Sequence, residues 1–238
     1  MYGWRSRLGL IIPSDNTVME SEFNKILSHV EGISTHATRV FLEEISVETL
    51  LEMKKGLKRA ARELKTAEMN VIVYGCTSGS LIKGLHFDKE IITEIEEETQ
   101  IKATTTTTAI LNALELLDVE KIAIGTPYPD EINVKVREFF EGSGYEVTNL
   151  IGLNIVPDVD VGKQEPHVAF NLGKKVNTED ADCVFLSCTD FRTVEILEPL
   201  EDCLGKPVIS SNQASLWEAL RIDEQGISIS GFGSLLEI

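Results

Sequence analysis

Asn70-Val71-Ile72-Val73-Tyr74-Gly75-Cys76-Thr77 is a short apolar run that stops at a cysteine and a hydroxyl residue, and the pattern returns as Asp182-Cys183-Val184-Phe185-Leu186-Ser187-Cys188-Thr189. Such runs, rich in β-branched residues and bounded by small polar ones, read as strands buried on both faces. The two cysteines are 112 positions apart, and two further pairs repeat at nearly the same offset. Arg7-Leu8-Gly9-Leu10-Ile11-Ile12 ends at Pro13 and the turn Ser14-Asp15-Asn16-Thr17, as Lys121-Ile122-Ala123-Ile124-Gly125-Thr126 ends at Pro127 and Tyr128-Pro129-Asp130, 114 positions on. Ile101-Lys102-Ala103 leads through Thr104 to Thr108 into a helical run, as Pro207-Val208-Ile209 leads through Ser210-Ser211-Asn212-Gln213 into another, 106 positions on. The chain is therefore an internal duplication.

Helical periods lie between these strands. Val47 to Met69 places Leu50, Leu51, Leu57, Ala60, Ala61 and Leu64 at three- and four-residue spacings with Lys and Glu opposite, which predicts one amphipathic helix. Glu131 to Glu141 and Asn171 to Asp180 read the same way, while Ser34 to Val40 and Tyr145 to Leu150 read as a second strand in each half. The predicted class is α/β, with two pseudo-twofold-related lobes, each a small parallel four-stranded sheet flanked by helices. Residues 1–103 form the first lobe and 104–209 the second, with a C-terminal helix in 210–238 returning to pack near the first. Ligands of parallel sheets gather outside the strand C-termini, so the active site is expected in the cleft between the lobes.

Composition narrows the function. With 42% hydrophobic and 26% charged residues over 238 positions, the chain has the balance of a globular protein. Its net charge of −17 is the wrong sign for nucleic acid or an anionic membrane surface, and no stretch approaches the ~20 apolar residues of a membrane span. No signal-peptide pattern precedes the first strand, so the expected location is cytoplasmic. Cys76, Cys183, Cys188 and Cys203 form no Cys-x-x-Cys pair and read as thiols.

Cys76 and Cys188 carry the chemistry of this reading. Each ends a buried strand and precedes Thr, and a pseudo-twofold arrangement sets them face to face. A cysteine between a strand end and a helix N-terminus is pushed toward thiolate by the dipole and by free N–H groups. Cys183, inside its strand, and Cys203 read as structural. Around the pair stand Ser14, Asn16 and Thr17; Thr77, Ser78 and Ser80; Thr104 to Thr106; Thr189; and Ser210, Ser211 and Asn212. Singly each is a good helix cap; together, converging helix starts and hydroxyls make a cradle for a carboxylate. Tyr128, at the strand end equivalent to Ser14, is placed to donate its phenol to a substrate oxygen. His29, His36, His86 and His167 have no metal-ligand spacing, and neither a dinucleotide fingerprint nor a phosphate loop is present. No metal and no cofactor are expected.

The motifs Ile12-Pro13-Ser14-Asp15-Asn16-Thr17, Tyr74-Gly75-Cys76-Thr77-Ser78-Gly79-Ser80, Thr126-Pro127-Tyr128, Ser187-Cys188-Thr189 and Pro207-Val208-Ile209-Ser210-Ser211-Asn212-Gln213-Ala214 resemble the aspartate/glutamate racemase superfamily. Within it the chain looks most like the branch of maleate cis-trans isomerases and arylmalonate decarboxylases. The resemblance implies two α/β lobes, cofactor-independent chemistry by cysteines, a small mono- or dicarboxylate substrate and a homodimer or homotetramer. Carried over by motif, Cys76 is the first-lobe nucleophile and Cys188 the second-lobe acid/base, with Asn16, Ser14, Thr77, Ser78, Tyr128, Thr189, Ser211 and Asn212 binding carboxylates. The decarboxylases lack the first-lobe cysteine, and the amino-acid racemases usually follow the second with Thr-His where this chain has Thr189-Asp190. The expected activity is cis-trans isomerisation of maleate to fumarate. Its rivals are racemisation or epimerisation of an amino acid or related carboxylate by two opposed cysteine bases, and a non-catalytic module that binds a small acid.

Overall fold

A computed structural model describes residues 2–42, 44–157 and 159–238. The first half runs β1 (Ser6–Pro13), α1 (Met19–Ile26), β2 (Ile33–Val40), α2 (Val47–Met53), α3 (Leu57–Thr66), β3 (Val71–Tyr74), α4 (Thr77–Leu81), α5 (Phe87–Thr99), β4 (Lys102–Thr105) and α6 (Thr106–Leu116). The second runs β5 (Lys121–Thr126), α7 (Asp130–Gly142), β6 (Glu146–Gly152), α8 (Val159–Gly162), α9 (Pro166–Val176), β7 (Cys183–Leu186), α10 (Leu197–Leu204), β8 (Val208–Ser210) and α11 (Ser211–Ile222). A 3₁₀ turn, Ser234–Glu237, follows.

The strands form two four-stranded sheets, ordered β2-β1-β3-β4 and β6-β5-β7-β8, with every pairing parallel. The identical order is the duplication made physical. In each sheet the order reverses at its two central strands, and that switch point is where a crevice opens beyond the strand C-termini. The loops after β1, β3, β5 and β7 border those crevices, and they carry Asn16, Cys76, Tyr128 and Cys188. β3 and β7 are buried along their whole length, which is why each reads as a continuous apolar run.

The helix expected over Val47 to Met69 is two helices, α2 and α3, separated by the 3₁₀ turn Lys54–Gly56. Gly56 sits against β2, where a Cβ would come within 3.1 Å of Val40 Cγ1; the helix tightens there into a 3₁₀ turn, and the apolar spacing survives it. The helix expected over Asn171 to Asp180 starts earlier, with Pro166 in its first turn, and ends at Val176. Pro is well suited to a first turn, where its missing N–H has no partner to lose. The threonine run divides: Thr104 and Thr105 finish β4, and Thr105 caps α6 by accepting the Thr108 N–H. Ser210 caps α11 in the same way, in a reciprocal box with Gln213. These equivalent helices, α6 and α11, pack on each other, and α11 also meets α1, β3 and β4. No helix among the described residues is long and apolar enough to cross a membrane.

Candidate functional site

Cys76 follows β3 and Gly75 and is the N-cap of α4: its Sγ accepts the Gly79 N–H at 3.3 Å and lies 3.8 Å from Ser78 Oγ. Gly75 permits this placement, since a Cβ there would lie 2.3 Å from Met19 Sδ on α1. N–H and hydroxyl donors around a sulfur favour its thiolate.

Cys188 has a different setting. The expected helix does not begin at it; α10 starts only at Leu197, and the backbone of Cys188 is held at φ 99°, a conformation that costs a side-chain-bearing residue energy. The surroundings enforce it. The Cys188 N–H donates to Ser211 Oγ at 3.0 Å, and Cys188 Sγ accepts the Asp190 N–H at 3.4 Å.

The residues flanking the two cysteines bond directly across the lobes. Thr189 Oγ1 donates to the carbonyl of Gly75 at 3.1 Å, and Thr77 Oγ1 lies 2.8 Å from Ser211 Oγ, the acceptor of the Cys188 N–H. Tyr128 completes the enclosure. Its phenol, fully buried, accepts a hydrogen bond from Ser187 Oγ at 3.3 Å. Burial pushes the Tyr128 pKa well above its ordinary value, and charge on Cys188 and Cys76 pushes the same way. One hydroxyl is thus within electrostatic reach of both sulfurs. Below it, Asn133 accepts from Thr126 Oγ1 and donates to the Tyr128 carbonyl, fixing the turn that aims the ring.

The remaining predicted residues divide by what their polar atoms already do. Asn16 Nδ2 donates to Thr189 Oγ1 at 3.0 Å, while its Oδ1 accepts the Val18 and Met19 N–H groups at the start of α1. Ser14 both donates to the Leu42 carbonyl and accepts the Leu42 N–H, which ties two loops together and leaves its hydroxyl committed. Asn212 Nδ2 donates to Glu22 Oε2 and to the Thr189 carbonyl, so both of its amide hydrogens are committed too. Thr77, Ser78 and Thr189 stand beside the sulfurs. Of the outer hydroxyls, Ser80 donates to the carbonyls of Cys76 and Thr77, and Thr106 to the Tyr74 carbonyl, so both are spent on backbone oxygens rather than on helix N–H groups.

Two carboxylates that the sequence did not single out as site residues hold this arrangement. Asp190 Oδ1 accepts the N–H groups of Thr17 (2.6 Å) and Val18 (3.1 Å) across the lobes. Glu22 on α1 accepts the N–H groups of Thr193 and Val194 together with Asn212. Burial raises both acids to about 7, against the hydrogen bonds they accept; nearby Asp15 raises Asp190 further. Their partners lie some 170 positions away in sequence, so no local signal announces them.

Cys76 and Cys188 are 5% and 6% exposed, so both thiols are buried rather than in the exposed strand-end setting expected for reactive thiols. A hollow of about 240 Å³ where the lobes' loops meet is lined by Thr17, Val18, Glu22, Gly162, Arg192 and Glu195 among others. Cys183 is wholly buried, with burial pushing its thiol up to about 12, and Cys203 is exposed. Among the described residues no group of three or more His, Cys, Asp or Glu converges as metal ligands would.

The family model for arylmalonate decarboxylase matches residues 8–236. The chain is 27% identical to maleate isomerase of Geobacillus stearothermophilus over 97% of this chain and 96% of that one. It is 28% identical to arylmalonate decarboxylase of Bordetella bronchiseptica, again over 97% and 96%. A mutant of Nocardia farcinica maleate cis-trans isomerase, solved with a covalently bound succinylcysteine intermediate, has the same fold, with a TM-score of 0.94 at 24% identity over 98% of both chains.

Proposed function

This chain belongs to the arylmalonate decarboxylase family, and we propose that within it the chain is a cofactor-independent maleate cis-trans isomerase, producing fumarate with Cys76 as nucleophile and Cys188 as acid and base. The observation that carries the reading is that the two cysteine turns are tied to each other: Thr189 bonds the Gly75 carbonyl, Thr77 meets the Ser211 hydroxyl that accepts the Cys188 N–H, and Ser187 donates to the buried Tyr128 phenol. Four maleate isomerases at 25–27% identity support it.

The chemistry follows from the placement. Cys76 thiolate adds to one olefinic carbon, and the Cys188 thiol gives its proton to the neighbouring carbon, so the double bond becomes a single bond. The adduct, a succinylcysteine like that in the Nocardia protein, rotates about this bond. Cys188 thiolate then takes the proton back as the C–S bond breaks and its electrons return to Cys76. Charge that builds on the neighbouring carboxylate meets the donors beside the sulfurs and the Tyr128 hydroxyl, where preorganised dipoles stabilise it most. No redox step occurs and no co-reactant is needed. A cytoplasmic location and a homodimeric or homotetrameric assembly belong to the same reading.

Proton NMR of maleate incubated with the protein tests it. The olefinic signal of maleate should give way to that of fumarate, and Cys76→Ser or Cys188→Ser should abolish the conversion. Unchanged maleate with the parent protein, or full turnover by either variant, contradicts the assignment.

A further inference from the structure

Tyr74 ends β3 two residues before Cys76, and its side chain is completely buried. Its phenol oxygen has no hydrogen-bond partner among the described residues. A hydroxyl taken out of water and left unpaired is costly, and such a group in a folded protein calls for an explanation.

Geometry points to the group it serves. A Cβ on Gly79 would lie 2.9 Å from Cys76 Sγ and 3.1 Å from Tyr74 Oη, with Met53 Cε at 2.6 Å on the remaining side. The sulfur and the phenol therefore border one small gap, which the missing side chain of Gly79 keeps open. Ionisation of Tyr74 is opposed by burial and then by charge on Cys76.

A neutral thiol is a weak acceptor and gives the phenol little to bond to, whereas hydrogen bonds to an ionised group are shorter and stronger. We propose that Tyr74 is a positioning residue for Cys76: when the sulfur ionises, the phenol turns its O–H onto it, joining the Gly79 N–H in stabilising the thiolate and aiming it at the substrate. The proton stays on the phenol oxygen throughout, and no bond is made or broken. The proposal rests on Cys76 being the nucleophile, and it adds a donor that lies inside the strand rather than in the strand-end cluster.

The test reads the sulfur directly, so it stands apart from the test of turnover. Iodoacetamide labelling of Cys76, quantified by peptide mass spectrometry, is followed from pH 5 to 10 in the parent and in Tyr74→Phe. The variant removes only an unpaired hydroxyl and should unfold at the same temperature as the parent or higher. Its Cys76 labelling midpoint should move up by about one pH unit, with a roughly tenfold lower rate at neutral pH, while the Cys188 profile stays in place. Superimposable Cys76 profiles overturn the proposal. Tyr74→Met, a flexible apolar filler, carries the same expectation and the same reversal should the Phe variant fail to fold. Loss of maleate turnover in the parent with the labelling shift intact would overturn the isomerase reading alone.

Discussion

The loops after β3 and β7 descend from one duplicated pattern, yet they hold their sulfurs in opposite ways. Cys76 sits in ordinary extended backbone as the cap of a helix that starts at once, with donors from its own turn. Cys188 sits at φ 99° with no helix behind it, held by Ser211 and by the N–H of a residue whose carboxylate grips the other lobe. Each sulfur accepts one backbone N–H, from Gly79 on Cys76 and from Asp190 on Cys188, so the contrast lies in the backbone that carries each sulfur rather than in the donor it meets. Duplication supplied two equivalent thiols, and the two loops differ: one sulfur caps a helix, the other sits on a strained turn.

The comparison breaks most readily at the sulfurs. Cys76→Ser and Cys188→Ser should each lower kcat by about a thousandfold or more, and they should differ in kind. Steady-state assays of maleate consumption with single-turnover traces should show no adduct in the first variant and a stalled adduct in the second.

Ser211→Ala takes the acceptor from the Cys188 N–H and the partner from Thr77. A buried hydrogen bond lost in this way should lower stability by about 1–3 kcal/mol and reduce kcat roughly tenfold, with KM nearly unchanged. Urea unfolding and steady-state kinetics measure the two effects. Equal kcat with reduced stability would show that the strained backbone does not aim the sulfur.

Asp190→Asn sharpens the contrast through pH. The folded value of about 7 lies above the ordinary 3.8, so Asp190 holds its proton more tightly folded than unfolded. The stability linked to that proton is full below about 3.8, declines as pH rises, and is lost through about 7. Asparagine keeps an oxygen for the Thr17 and Val18 N–H groups but does not titrate, so the variant's stability should vary less over this window in unfolding titrations. The smallest effect is expected at Cys203→Ser: the residue is exposed, and its stability change should stay within about 0.5 kcal/mol. Its iodoacetamide labelling should be indifferent to ligand, and protection of Cys203 by maleate would place the site elsewhere.

Much of this was legible because buried parallel strands write continuous apolar runs and their ends write small polar residues. β1, β3, β5 and β7 all lie within a residue or so of their expected positions, and the two cysteines fall out as equivalent. The break between α2 and α3 was not legible, since the short 3₁₀ turn between them keeps the apolar spacing intact. The hydroxyl ring was legible as composition but not as function: Ser14 and Asn212 carry the residue types of a carboxylate cradle, and only their partners reveal that they tie loops together. Asp190 is legible as a charge close to the cleft but not as a clamp, and Glu22 not at all, because their backbone partners lie in the other half of the chain. Tyr74 reads as core, which it is; its unpaired oxygen exists only in three dimensions.

The central claim, that sulfurs from two lobes act on one substrate molecule, is tested most directly by mass spectrometry of Cys188→Ser after incubation with maleate. The account predicts a succinyl adduct on Cys76, its carbon protonated slowly by solvent water in place of Cys188, that persists because no second thiol removes the proton needed for elimination. An unmodified Cys76, or an adduct confined to Cys203, would contradict it.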